Sequence, residues 1–165
     1  EYIRKMLKYV DTKVVFVEVP DEITLAISIS GCPCFCEGCH SAYLAKDIGK
    51  ELTFEELDSL IKNNKGITCV GFMGGDVYPA GIDMLACYIK ANIPELKVAW
   101  YSGREEVSTR VNLRNFDYIK IGPYIKEKGP INDKSTNQRF YKIITRDNII
   151  ELEDLTYKVW KHDKV

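Results

Sequence analysis

Four short apolar runs each stop at a glycine or a glycine-containing pair, and this recurrence constrains the fold more than any other feature of the chain. They are residues 23–30 (ITLAISIS) before Gly31, 67–73 (ITCVGFM) before Gly74-Gly75-Asp76, 96–101 (LKVAWY) before Ser102-Gly103, and 116–121 before Gly122-Pro123. Runs this short and this rich in Val, Ile and aromatic residues read as strands. Between them lie apolar stripes at helical spacing. Phe54, Leu57, Leu60 and Ile61 follow the capping box Thr53-Phe54-Glu55-Glu56 and extend to Asn63, with Gly66 as a stop; Ile82, Leu85, Ala86 and Ile89 are halted by Pro94. A weaker helix is expected over 104–113. Strand alternating with helix predicts an α/β fold with crossover connections and a mainly parallel sheet.

Upstream, residues 14–19 (VVFVEV) read as a strand that turns through Pro20-Asp21-Glu22 into the run at 23–30. Downstream, 126–137 reads as a polar surface loop and 140–144 as a short strand. A chain of 165 residues suits one domain over 1–165. In parallel α/β sheets ligands collect outside the carboxyl ends of the strands. The four glycine-bearing loops are therefore expected to face one common pocket.

Composition narrows the function. Twenty-three Lys and Arg against 24 Asp and Glu leave a net charge of −1. That balance argues against a protein that grips nucleic acid or anionic lipid by charge alone. No apolar run approaches the roughly 18 residues of a membrane span, and no secretory signal is seen. A soluble cytoplasmic protein is expected, with neither nucleic acid nor membrane as a partner. Six cysteines could build a disulfide scaffold, but four of them crowd into residues 32–39, which suggests metal or redox chemistry in a reducing compartment. Cys69 and Cys87 sit in apolar segments and are expected to be buried thiols.

Cys32, Cys36 and Cys39 are spaced Cys-x3-Cys-x2-Cys. Three thiolates on one loop can each hold a different iron of a cubane, leaving the fourth iron open to a small chelating molecule. A zinc site completed by Cys34 and His40 is the first alternative, although zinc sites favour two ligand pairs set further apart. An electron-carrying cluster is the second; it needs a fourth cysteine, and Cys69 lies inside a strand. Cys34 reads as a bystander thiol and His40 as a hydrogen-bonding neighbour of the site. At Gly74-Gly75-Asp76 the glycines would let backbone carbonyls approach a ligand closely. Carbonyl and carboxylate oxygens there suit a cationic amino group.

The cysteine spacing resembles the signature of the radical S-adenosylmethionine enzymes. The order of further segments is similar to the small activating proteins of anaerobic ribonucleoside-triphosphate reductases: Gly31-Cys32-Pro33, Cys36-Glu37-Gly38-Cys39-His40, Gly74-Gly75-Asp76, Trp100-Tyr101-Ser102-Gly103, Ile121-Gly122-Pro123-Tyr124 and Ser135-Thr136-Asn137-Gln138-Arg139. The resemblance runs from Ile23 to Arg139. It departs from the family pattern at Val17-Glu18-Val19-Pro20, at Val77 after Asp76, and at Lys134.

The resemblance implies a partial, open β/α barrel. It implies a [4Fe–4S] cluster on Cys32, Cys36 and Cys39, with S-adenosylmethionine seated by Gly38, Cys39, His40, Gly74, Gly75 and Asp76. The implied activity is generation of a glycyl radical on the reductase, with electrons from reduced flavodoxin or a ferredoxin-like donor. No side chain is required as acid or base, because the cofactor carries the hard chemistry. A radical enzyme acting on another glycyl radical protein or on a small molecule remains an alternative, as does a cluster- or zinc-binding module without turnover.

Overall fold

The computed structural model describes residues 6–34, 37–38 and 46–161. It forms one eight-stranded sheet and two helices, in the order β1 (Lys8–Val15), β2 (Thr24–Ile29), β3 (Lys50–Glu51), α1 (Phe54–Lys62), β4 (Cys69–Met73), α2 (Pro79–Asn92), β5 (Lys97–Tyr101), β6 (Tyr118–Ile121), β7 (Arg139–Arg146) and β8 (Ile149–Asp154). Across the sheet the strands run β3-β1-β2-β4-β5-β6-β7-β8, a linear order that leaves it open.

The centre agrees with the sequence, and on the flanks the turn at 20–22 and the strand at 140–144 do as well. β2, β4, β5 and β6 pair in parallel, with Leu25 opposite Val70, Phe72 opposite Trp100 and Trp100 opposite Ile119. Every other pairing is antiparallel, so the expected mainly parallel sheet is corrected to a parallel core with antiparallel wings. The wings come from two hairpins. β1 turns into β2 with the Glu22 amide on the Val19 carbonyl at 3.2 Å, and β7 turns into β8 at Asp147, whose φ is +53°.

Alternation along the strands divides the core in two. Leu25, Ile27 and Ile29 of β2, Val70 and Phe72 of β4, and Val98 and Trp100 of β5 pack with Leu57 of α1 and Ile82, Leu85, Ala86 and Ile89 of α2. Cys69, Ala99, Tyr118 and Phe140 point the other way and are covered by Val19 and Leu155 from irregular segments. A parallel strand buried on both faces must be apolar at nearly every position, as CVGFM in β4 is. Helix α1 starts where the sequence places it, with the Thr53 hydroxyl accepting from the Glu56 amide at 3.0 Å.

Two element assignments are overturned. The first strand lies at Lys8–Val15 and not at 14–19; past Val15, Phe16 and Val17 are exposed and Val19 alone is buried. The β-branched density of VVFVEV drew the assignment forward. The true strand KYVDTKVV alternates polar residues and is fixed by its register against β2. Residues 104–113 form no helix. Their chain is held in an irregular path by Asp83 of α2, whose Oδ1 accepts from the Asn112 amide at 2.8 Å and Asn115 Nδ2 at 3.0 Å. Val107 and Val111 pack on the core from that path, and a 3-10 turn at Leu113–Asn115 follows. No helix among the described residues is long and apolar enough to cross a membrane.

Candidate functional site

The loops that leave β2, β4, β5 and β6 meet at the carboxyl edge of the parallel strands. Gly31, with φ +74°, turns the chain out of β2, and its amide donates to the Lys46 carbonyl at 3.0 Å. Cys32 and Cys34 follow on an irregular segment, both half-buried and both free thiols. After β4 the chain turns through Gly74 and Gly75, with φ of +100° and +95°. The Gly74 amide donates to the Tyr101 carbonyl at 2.9 Å, and the Gly74 carbonyl accepts from Trp100 Nε1 at 2.7 Å.

Asp76 is buried and joins the loop after β4 to the loop after β5. Its Oδ1 accepts from the Ser102 hydroxyl at 2.5 Å and its Oδ2 from the Gly103 amide at 2.8 Å. A Cβ added at Gly103 would stand 2.9 Å from the Cys34 sulfur and 3.6 Å from Asp76 Oδ2, so the cysteine segment lies directly on the β5 loop. Burial, reinforced by the Cys32 thiol and the Asp76 carboxylate and opposed by Arg104, pushes the Cys34 thiol up to about 12. Cys34 therefore stays a neutral thiol at physiological pH in this arrangement.

The fourth loop closes the set. Lys120 of β6 is buried, and its ammonium donates to the carbonyls of Ser102 at 3.1 Å and Gly122 at 2.7 Å. A Cβ at Gly38 would lie 3.6 Å from the Tyr124 ring, which brings the cysteine loop against the segment after β6. Asn137, from the Ser135–Gln138 stretch, donates to the Pro123 carbonyl at 3.0 Å. A cleft of about 600 Å³ opens beside Asp76 and Pro79, with Arg104, Arg110, Glu105 and Glu106 in its walls. Its charged lining is mixed, two arginines against Asp76, Glu105 and Glu106.

Of the residues assigned from sequence, Cys32, Gly38, Gly74, Gly75 and Asp76 are gathered at this edge. Cys36, Cys39 and His40 lie outside the described residues. Among the described residues no three His, Cys, Asp or Glu side chains gather as a metal site. The fold itself also calls for glycine at position 75: an added Cβ would stand 2.5 Å from Ile82 Cδ1, and φ is +95°. Cys69 is buried as expected, whereas Cys87 is exposed on the outer side of α2.

Lys120 was not singled out in the sequence. Its signal is a charge in an otherwise apolar strand, YIKI, at a position that alternation turns inward. Compared with family models, curated proteins and solved structures, the chain matches none.

Proposed function

We propose that this chain is a radical S-adenosylmethionine activating enzyme that generates a glycyl radical on a large partner of the anaerobic ribonucleoside-triphosphate reductase kind. Its open sheet would serve as the partial barrel of that family. The single observation that carries the reading is the gathering of all four strand-end loops at one edge, around the Cys32–Cys34 segment and the buried Asp76 carboxylate.

Cys32, Cys36 and Cys39 would hold a [4Fe–4S] cluster, which would supply the one-electron reduction of S-adenosylmethionine that radical chemistry on glycine needs. The chain's own residues bind, orient and exclude water. Donor chemistry fits: Cys32 offers a soft sulfur on an irregular segment that the sheet does not claim. Each Asp76 oxygen accepts one hydrogen bond and keeps a lone pair for a cationic amino group. Gly38, Cys39 and His40 are assigned to the cofactor by resemblance, with Gly74 and Gly75. Lys120 is a positioning residue, because it ties the β5 loop to the β6 loop.

Electron paramagnetic resonance tests the reading. Protein reconstituted anaerobically with iron and sulfide, given S-adenosylmethionine, a flavodoxin or ferredoxin-like reductant and a candidate reductase, should develop a glycyl radical doublet. Deuterium placed on the target glycine should appear in 5′-deoxyadenosine. Efficient turnover of a small metabolite with no protein partner overturns the activase reading. Retention of zinc with no cluster overturns the radical reading altogether.

A further inference from the structure

We propose that Gln138, with Asn137 beside it, is a specificity determinant that reads the main chain of an extended peptide at the strand-end edge. The target assigned to it, a glycine-bearing segment of the partner, rests on the function proposed above. A glycine has no side chain to grip, so a site that selects such a segment must hold its N–H and C=O groups. A neutral carboxamide presents both a donor and an acceptor, the complement of a peptide group. An ammonium or a carboxylate presents only one of the two.

Two unmet polar groups carry the proposal. Gln138 is 5% exposed, yet its carboxamide forms no hydrogen bond with a described residue; its backbone amide donates to the Thr136 hydroxyl at 3.0 Å. Asn137 donates through Nδ2 to the Pro123 carbonyl at 3.0 Å, and its Oδ1 is buried with no donor among the described residues. Buried polar groups are nearly always paired, because an unmade bond forfeits the hydration that burial removed. Both groups flank the Gly122-Pro123 turn that ends β6. A Cβ added at Gly122 would stand 3.1 Å from Gln138 Cα and 3.4 Å from its Cγ, so glycine there makes room for the glutamine stem. β6 and β7 pair with Lys120 opposite Phe140 and Ile121 opposite Arg139. Continued by one residue, that register sets Gln138 opposite Gly122, on the sheet face of Phe140 and away from α1 and α2. Tyr124, two residues past Gly122, lies against the cysteine loop at Gly38. A peptide laid across Gln138 therefore runs beside the loop that carries the proposed cluster ligands.

The test begins with terminally blocked tetraglycine, a peptide of main chain alone, and its sarcosine counterpart, in which each glycine nitrogen is methylated. Saturation-transfer NMR on the full chain should show contact with tetraglycine and none with the sarcosine peptide. Gln138→Leu should weaken tetraglycine binding about tenfold while the urea midpoint stays level or rises, because no bond within the fold is lost. Gln138→Glu, which removes the donor and keeps an acceptor, should weaken it as well. No transfer to tetraglycine, equal transfer to the sarcosine peptide, or binding unaffected by both variants each overturns the proposal. A lowered urea midpoint in Gln138→Leu with unchanged peptide binding makes the residue structural and overturns it too. In reconstituted enzyme with a candidate reductase, Gln138→Leu should raise the KM for the reductase about tenfold and leave the affinity for S-adenosylmethionine at the parental value. Loss of that affinity instead assigns the carboxamide to the adenine edge of the cofactor and overturns the peptide reading. If tetraglycine binds through Gln138 and no glycyl radical forms, the proposed function fails and the peptide site stands. If the radical forms and Gln138→Leu matches the parent in peptide binding and KM, the reverse holds.

Discussion

At the scale of single residues, glycine and cysteine positions divide cleanly by what surrounds them. Gly75→Ala forces a side chain into a left-handed backbone and onto Ile82, and should cost about 3 kcal/mol in urea unfolding. Pairing it with Ile82→Ala should recover about 1–2 kcal/mol of the summed loss, because the clash vanishes while the backbone strain persists. Unaltered stability in Gly75→Ala would mean that the turn is not held as described. At the cysteines, Cys36→Ala should lose the reconstituted iron and sulfide, whereas Cys34→Ala should keep about the parent content. Loss in Cys34→Ala with retention in Cys32→Ala would reverse the ligand assignment. The sequence singled out Cys32, Gly74, Gly75 and Asp76 through motif spacing. It could not show that Asp76 already binds Ser102 and Gly103, since that contact spans 26 or more positions and depends on strand order.

At the scale of elements, local signals succeeded where a single interaction decides the outcome. The Thr53 cap fixed the start of α1, and Thr53→Ala should lower stability by about 1 kcal/mol, read from the urea midpoint. Helical periodicity failed over 104–113 because a partner elsewhere captures the backbone. Asp83 accepts from Asn112 and Asn115, and Val107 and Val111 before them reach the core without a helical path. Asp83→Ala should therefore cost about 1 kcal/mol and raise amide exchange across 107–115 while leaving α1 unaffected. Uniform exchange changes throughout the molecule would count against that local role. Of the terminal hairpin, β7 was legible as the run at 140–144, but β8 was not: it is a charged edge strand, IIELED, whose polar residues mask its period.

For the molecule as a whole, burial sets how stability responds to pH. Burial pushes the Cys69 thiol up to about 12, with small opposing help from Thr24, and burial with Glu22 raises the Tyr118 hydroxyl. A thiol raised in the folded state ionises first in the unfolded chain. Its contribution is complete below roughly pH 8.5 and is lost as pH climbs towards 12. Under reducing conditions the urea midpoint should fall steadily over that interval, and Cys69→Ala should flatten part of the slope. On the acid side the Tyr9 hydroxyl and then Lys50 hold the Glu56 carboxyl below its ordinary range. Stability from Glu56 is present above that range and fades as pH drops through it, so Glu56→Gln should blunt the acid limb.

The linear strand order also governs how the chain can be made. β3 adds on the outer side of β1, and from β4 onward each new strand joins the free edge of the growing sheet in turn, β4 on β2, then β5, β6, β7 and β8. A polypeptide emerging from the ribosome can thus complete its sheet progressively, without any segment having to insert between strands already paired. The exposed apolar edge at each stage is covered by the next strand to be synthesised, so it need not wait for a partner from another nascent chain. The final addition carries Glu151, Glu153 and Asp154, whose charges close the growing sheet against further strands.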